Sequence, residues 1–158
     1  MTRASLEAAI AEGASLVIDT SVVLAYLDGT EAVSPAATYV FDELVRPGRN
    51  PASLSGVTVT ETLVRPFGAG SAALIGAIET FLRRFPNLLV IPIDYAIARE
   101  AARIRAATGL PTADATVIAT AVVGGADTIV ANDARWIQAV TALGTPVGLC
   151  HLGSHIPL

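Results

Sequence analysis

Short apolar runs alternate with longer helical patterns over most of this chain. Each run of three or four apolar residues is flanked by polar or turn-forming residues, which is typical of buried strands. The predicted strands cover 16–18, a stretch ending at Ser55, 88–91, 128–131 and 147–149. Because these strands alternate with helices and have no hairpin partner, they indicate a parallel sheet covered on both faces. We therefore predict an α/β fold with three layers, α/β/α, around a short parallel sheet.

Capping and helix-breaking residues set the predicted helix boundaries. The predicted helices cover 2–12, 22–27, 34–45, 71–85, 94–108, 112–123 and 135–140. Ser21, Asp94 and Thr112 are the predicted N-caps of three of these helices. The segment 53–67 fits both strand and helix periodicity, and we favour a short strand followed by a helix that carries Glu61.

Composition limits the class of protein. The chain has 158 residues, of which 53% are hydrophobic, and a mean hydropathy of +0.60, which is ample material for the core of one domain. We predict a single domain over 1–158, with 1–14 as a dispensable N-terminal helical extension. Charged residues interrupt every apolar run well before the ~20 residues of a membrane span, so we predict a cytoplasmic protein without membrane contact. The single cysteine, Cys150, is interpreted as a small core residue.

The formal net charge of −4 argues at first against a nucleic-acid partner, because phosphate binding usually leaves a basic surface. The distribution of the acids changes this picture. Four of the fourteen acids are candidate metal ligands, and without them ten acids balance ten basic residues. All ten basic residues are arginines, and the absence of lysine excludes P-loop nucleotide sites, Schiff-base enzymes and receiver domains.

Four carboxylates fall where a parallel sheet would bring them together. Asp19 follows the first predicted strand and Asp133 the fourth, while Asp114 lies in the first turn of a helix and Glu61 on another helix. Open parallel sheets place their ligands at the carboxyl ends of the strands, so these side chains can converge in one cleft. Clustered carboxylates repel one another unless a hard cation such as Mg²⁺ or Mn²⁺ neutralises them. The pattern therefore predicts a metal site with oxygen ligands.

Four sequence motifs carry these acids: VIDTSVVLAYL around Asp19, VTVTETL around Glu61, LPTADATVIATAV around Asp114 and GADTIVANDARW around Asp133. In this order and with these gaps they resemble the PIN-domain family, and within it the VapC-type toxins of bacterial toxin–antitoxin pairs. The resemblance spans nearly the whole chain. One difference is Asn132, where many members have Ser or Thr. Because Asn can still form hydrogen bonds, we expect this difference to change the strength of metal or substrate binding rather than the catalysis.

The resemblance implies a metal-dependent endoribonuclease that hydrolyses RNA phosphodiester bonds and acts as the toxin of a type II toxin–antitoxin pair. Its acidic quartet maps onto Asp19, Glu61, Asp114 and Asp133. Asp19 and Asp114 would be the principal Mg²⁺ or Mn²⁺ ligands, Asp133 a second-metal or water-mediated ligand, and Glu61 a ligand or a positioner of the attacking water. Arginines would hold the RNA backbone. A cognate antitoxin is the implied partner, and so apolar a chain is also expected to form a homodimer.

Other interpretations stay open. Taken singly, each acid can be a helix-dipole, capping or surface residue. A haloacid-dehalogenase-like phosphatase also has an Asp after its first strand, but the second Asp two residues on and the lysine are missing here. A catalytically silent PIN fold acting as a binding module is the non-enzymatic alternative. His151 and His155 are interpreted as surface residues, and Trp136 as a core or interface anchor.

Overall fold

The computed structural model describes residues 3–155, and its strands form one parallel sheet. The strands are β1 Leu16–Ile18, β2 Ala52–Ser55, β3 Leu88–Ile91, β4 Thr128–Ala131 and β5 Gly148–His151. They lie in the order β3-β2-β1-β4-β5, and each neighbouring pair is parallel. The predicted α/β fold with a short parallel sheet between helices is confirmed.

The observed helices agree with the predicted ones to within a few residues. They are α1 Arg3–Ala9, α2 Thr20–Asp28, α3 Ser34–Thr38, α4 Gly56–Gly68, α5 Ala72–Arg84, α6 Tyr95–Thr108, α7 Thr112–Gly124 and α8 Arg135–Leu143. A π-helical segment, Tyr39–Val45, continues α3, and a 3₁₀ turn, Leu152–His155, follows β5. The ambiguous segment 53–67 divides as predicted into a strand that ends at Ser55 and a helix that carries Glu61. The start of the predicted helix 2–12 lies outside the described residues.

Two apolar clusters cover the two faces of the sheet. Neighbouring strand residues point to opposite faces, so Leu16 and Ile18 join one cluster while Val17 joins the other. The first cluster includes Leu6 and Ile10, which are fully buried, and residues from α2 to α5. The second cluster combines residues of β1 and β4 with residues of α6, α7 and α8. The three layers are therefore held by apolar burial on both sides of a sheet whose strands are only three or four residues long.

Helix α7 is the central element of the second layer. Its residues 115–121 are all buried, because it packs against β1 and β2 on one side and α6 on the other. A helix enclosed in this way is apolar on all sides, and its small residues let the neighbouring elements approach. Packing at this position holds the first turn of α7 beside the carboxyl ends of the strands. Within residues 3–155 no single helix is long and apolar enough to cross a membrane, and only α6 and α7 taken together, across a bend of 120°, reach that length and composition.

Two predicted N-caps differ from the observed ones. Asp19, rather than Ser21, caps α2, and its carboxylate accepts from the Ser21 backbone N–H at 3.1 Å. At α7 the N-cap position is taken by Pro111, and Thr112 is the first helical residue. The Thr112 hydroxyl instead accepts from Arg105 at 2.7 Å. Asp94 caps α6 as predicted, through a 2.9 Å bond from the Ile97 N–H.

Candidate metal centre

The carboxyl ends of β1 and β4 bring two of the predicted acids to one edge of the sheet. Ile18 and Val130 are paired in register, and the Asp19 N–H donates to the Val130 carbonyl at 2.9 Å. Asp19 is 6% exposed and Asp133 follows two residues after β4 ends. The Ser21 hydroxyl also donates to the Asp19 carboxylate and accepts from the Asn132 N–H at 3.2 Å, so the loops after both strands are tied together.

Glu61 reaches the same edge from α4. The buried Thr20 hydroxyl lies 2.5 Å from Glu61 Oε2 and 3.1 Å from the hydroxyl of Thr58, which is one turn before Glu61. Thr20 directly follows Asp19, so this contact ties the start of α2 to α4. The two small polar residues after the first acid therefore have separate partners, because Ser21 contacts Asp19 while Thr20 contacts Glu61.

Asp114 enters the cleft from the first turn of α7. Its side chain is 22% exposed, and its Oδ2 atom is buried without a hydrogen-bond partner among the described residues. Burial raises the pKa of Asp114; Arg135 opposes this increase, and the charges of Asp133 and Glu61 add to it. Three of the four predicted acids therefore act on one another electrostatically at this position.

Burial and neighbouring charge also change the pKa of Asp19, where hydrogen bonds oppose them. Burial is again the largest cause and raises the pKa of Asp19, while hydrogen bonds from Ser21 and Thr20 lower it and the charge of Asp114 raises it. A raised pKa in two neighbouring acids is the expected result of placing carboxylates in a partly closed site. Burial is the main cause here, and like-charge repulsion is the smaller one.

All four predicted acids line one cleft of about 810 Å³. Thr20, Ser21, Arg65 and Trp136 also line this cleft. The rest of its lining includes the polar residues Asp28, Glu31 and Thr62. It also includes an apolar wall with four partly exposed side chains: Leu24 at 37%, Leu27 at 37%, Val64 at 61% and Leu74 at 48%. The cleft thus combines a carboxylate cluster with an adjoining apolar surface.

Arg135 is a component of the cleft that the sequence analysis did not single out. Its guanidinium forms a close ion pair with Asp133 through Nη2 and Nε, and Nη2 lies 3.5 Å from Asp114 Oδ2. Hydrogen bonding from Arg135 lowers the pKa of Asp133. The available signal was its position at the start of a helix, two residues after a candidate ligand. Arg103, by contrast, pairs with Glu100 on α6, away from the four acids.

The donor set fits a hard cation in its chemistry. It consists of four carboxylates, one of them with an unpartnered buried oxygen, and such oxygen ligands suit Mg²⁺ or Mn²⁺. As the side chains stand, however, no three Asp, Glu, His or Cys residues between 3 and 155 are close enough to share one ion. Protein donors hold the carboxylates instead: Ser21 holds Asp19, Thr20 holds Glu61 and Arg135 holds Asp133.

Other singled-out residues lie away from this cleft. His151 and His155 line a separate cavity beside β5, where His151 contacts Ser154 and His155 contacts Ser5. Cys150 is 1% exposed and burial raises the pKa of its thiol to about 11, so the interpretation as a core residue is confirmed. Trp136 is fully buried, as expected of a core anchor, but it also lines the carboxylate cleft.

Comparison with known proteins places this geometry in a family. The family model of the PIN domain matches residues 16–142, and the chain belongs to this family. No curated protein matches the chain by sequence.

Several solved structures share the fold with low sequence identity. The FitAcB structure from Neisseria gonorrhoeae superposes with a TM-score of 0.63 at 19% identity, covering 87% of this chain and 98% of that chain. VapC20 of Mycobacterium tuberculosis, described as a sarcin–ricin loop cleaving toxin, gives 0.63 at 17% identity over 84% and 98%. VapBC-1 from nontypeable Haemophilus influenzae gives 0.63 at 14% identity over 88% and 98%. The predicted resemblance to the PIN domains of VapC-type toxins is confirmed at the level of the fold.

Proposed function

We propose that the chain is a Mg²⁺- or Mn²⁺-dependent endoribonuclease that acts as the toxin of a toxin–antitoxin pair. The observation that carries this proposal is the meeting of Asp19, Glu61, Asp114 and Asp133 in one cleft, where burial raises the pKa of two of them. Carboxylates placed this close together repel one another, and a bound hard cation relieves that repulsion. The similarity to VapC20, described as a sarcin–ricin loop cleaving toxin, supports a nuclease function.

Each acid has a proposed role. Asp19 and Asp114 would hold the principal ion, Asp133 would hold a second ion or a metal-bound water, and Glu61 would be a ligand or would orient the attacking water. A bound Mg²⁺ supplies a more acidic water and stabilises the charge that develops on the phosphate and the leaving oxygen. Ser21 keeps the Asp19 carboxylate in place through its hydroxyl. Arg65 lines the cleft and Arg135 lies beside Asp114, so both could contact an RNA backbone bound there.

Cleavage of RNA with and without metal tests this proposal. Wild type should cut single-stranded or loop RNA with Mg²⁺ or Mn²⁺ and stop when EDTA is added. Asp19→Asn and Asp114→Asn should each lose cleavage while remaining folded by circular dichroism. Asp94→Asn, which changes a helix cap outside the cleft, is the matched control and should cut normally. If both cleft variants cut RNA at the wild-type rate, the proposed site is wrong.

The apolar wall of the cleft supports a protein partner. Leu24, Leu27, Val64 and Leu74 expose apolar surface next to the carboxylates, and such a patch on a small protein marks an interaction site. The similar structures from Klebsiella pneumoniae and Haemophilus influenzae are a toxin–antitoxin complex and VapBC-1. We propose that an antitoxin segment covers this wall. Val64→Asp should abolish co-purification of a small protein encoded beside this chain, and unchanged co-purification would contradict the proposal.

A second surface supports the proposed homodimer. The exposed face of α6 around Ala98 and Ala102 adjoins Ile93, which is 45% exposed, and Tyr95, which is 83% exposed. Small side chains there allow another copy to approach closely. Light scattering should give twice the monomer mass at micromolar concentration, and Ala102→Arg should reduce it to the monomer mass. A wild-type monomer at that concentration would refute the dimer.

The ion pair of Arg135 with Asp133 favours a second candidate function. A guanidinium that already neutralises one of the four acids fits a catalytically silent binding module that needs no metal. Calorimetric titration with Mn²⁺ separates the two functions, because a silent module would give no binding heat and no RNA cleavage, whereas a nuclease would give both.

A further inference from the structure

Trp136 is the only tryptophan of the chain, and its indole N–H is unusual in its surroundings. The side chain is fully buried in α8 and nevertheless lines the carboxylate cleft. Its Nε1 atom is buried and has no hydrogen-bond partner among the described residues. A buried indole N–H normally finds an acceptor, so this donor calls for a physical explanation.

The complementary acceptor lies in the same cleft. Asp114 Oδ2 is also buried and also lacks a hydrogen-bond partner within residues 3–155. An indole nitrogen only donates and an ionised carboxylate only accepts, so the two orphan atoms match each other chemically. Both side chains line the same cleft, where burial raises the pKa of Asp114 and the Trp136 side chain lowers it. Arg135, whose Nη2 lies 3.5 Å from the same oxygen, is 64% exposed and is paired with Asp133.

We propose that Trp136 is a positioning residue, whose indole N–H orients the Asp114 carboxylate as a metal ligand. This inference rests on the proposed function, since it assigns Trp136 a task only if Asp114 binds a metal. Ligating carboxylates are themselves usually held by hydrogen bonds from outer groups, and removing such a group typically weakens metal binding by about 10- to 100-fold. A phenylalanine at this position would fill most of the same space without a donor.

Calorimetric titration with Mg²⁺ and Mn²⁺ tests the role of the N–H. Trp136→Phe should weaken metal binding by about 10- to 100-fold. Val140→Ala is the matched control, because Val140 is a buried residue of the same helix and apolar cluster, and its loss of volume removes no donor. It should lower the melting temperature and leave the metal affinity within about twofold of wild type. Equal affinities for wild type and Trp136→Phe would overturn the inference.

A second variant covers the case in which Trp136→Phe does not fold. Replacing Trp136 by 3-benzothienylalanine keeps the bicyclic shape and exchanges the N–H for sulfur, so packing is preserved and the donor is lost. The same 10- to 100-fold weakening is expected. Wild-type affinity in this protein would overturn the inference even if the phenylalanine variant were unstable.

The single tryptophan also gives a spectroscopic test that a purely structural role would not satisfy. Emission excited at a wavelength selective for tryptophan should change during metal titration of wild type, with the same midpoint as the calorimetric curve. Asp114→Asn should give no such change. Metal binding by wild type without any change in emission would refute the positioning role alone, whereas the absence of metal binding by wild type would refute the proposed function together with it.

Discussion

Neutralising Asp114 separates a convergent metal site from a carboxylate that only complements a helix dipole. In the folded protein, burial raises the pKa of Asp114 and its Oδ2 atom has no hydrogen-bond partner among the described residues, so the ionised form is poorly stabilised there. Asp114→Asn removes that charge and keeps the shape of the side chain. Its cost is the attraction to Arg135, which is weak because Arg135 is 64% exposed and screened by solvent. We therefore expect metal-free Asp114→Asn to melt at the same temperature as metal-free wild type or higher.

The pH dependence of the folding stability follows from the raised pKa of Asp114. Asp114 has a raised pKa in the folded state, so the stability that its protonation contributes is fully present below the unfolded pKa, near 3.8. That contribution is lost as the pH rises through the folded pKa. Asp19 acts in the same direction, because burial also raises its pKa. Metal-free wild type should thus lose stability between pH 4 and neutrality, and Asp114→Asn should lose less over the same range.

Metal addition sets the size of the expected effect. At a Mg²⁺ concentration a hundredfold above Kd, binding stabilises the folded state by about 2.7 kcal/mol. One kcal/mol shifts the melting temperature of a chain of this length by about 2–4 °C, so wild type should gain about 5–11 °C. If Asp114→Asn weakens binding about a hundredfold, the same Mg²⁺ adds only about 0.4 kcal/mol, or about 1–2 °C.

Thermal melts of both proteins in EDTA and in Mg²⁺, over a range of pH, provide the assay. Asp127→Asn is the control of opposite sign, because hydrogen bonds from the Ser15 N–H and hydroxyl lower the pKa of Asp127. Its contribution to stability is present above the unfolded pKa and lost as the pH falls, so this variant should melt below wild type at neutral pH and keep the full Mg²⁺ response. A clearly lower metal-free melting temperature for Asp114→Asn, with a Mg²⁺ response equal to that of wild type, would refute the convergent site.

Three further predictions follow from the packing and the charges. Leu6→Ala should lower the free energy of unfolding by about 2–5 kcal/mol in denaturant titration, because α1 buries this side chain completely in the core; an unchanged midpoint would instead support a dispensable helix. Arg135→Ala should tighten Mg²⁺ binding at least about twofold by calorimetry, because it removes a competing cation from Asp133 and Asp114, and weaker binding would contradict this competition. Cys150 should react with a thiol reagent only after unfolding, since it is buried and burial raises its pKa to about 11; rapid labelling of the native protein would show otherwise.

The local elements were largely readable from sequence because their signals are local. Strand runs at 16–18, 88–91 and 128–131 matched the observed strands, since short apolar runs between polar residues form buried strands in a parallel sheet. The predicted N-caps differed from the observed ones by two residues at α2 and by one residue at α7. Asp19 and Ser21 can each accept at the start of a helix, and only the backbone path after β1 decides that Asp19 takes the cap.

The positions of the four candidate acids followed from the same logic, because carboxyl ends of parallel strands meet at one edge of the sheet. The sequence therefore determined which acids could share a cleft before the strand order was known. It also placed Asp114 in the first turn of a helix, from which this side chain could converge with Asp19 and Asp133.

Only the tertiary structure decided which side chains meet in the cleft and how they interact. The pairing of Arg135 with Asp133, the orphan atoms of Trp136 and Asp114, and the apolar wall that continues from the carboxylates depend on side chains from separate elements. The strand order β3-β2-β1-β4-β5 and the burial of α1 in the core also arise from contacts between distant segments. Periodicity and capping report interactions over three or four residues, whereas solvation, charge and hydrogen bonding in a cleft depend on which distant groups the folded chain brings together.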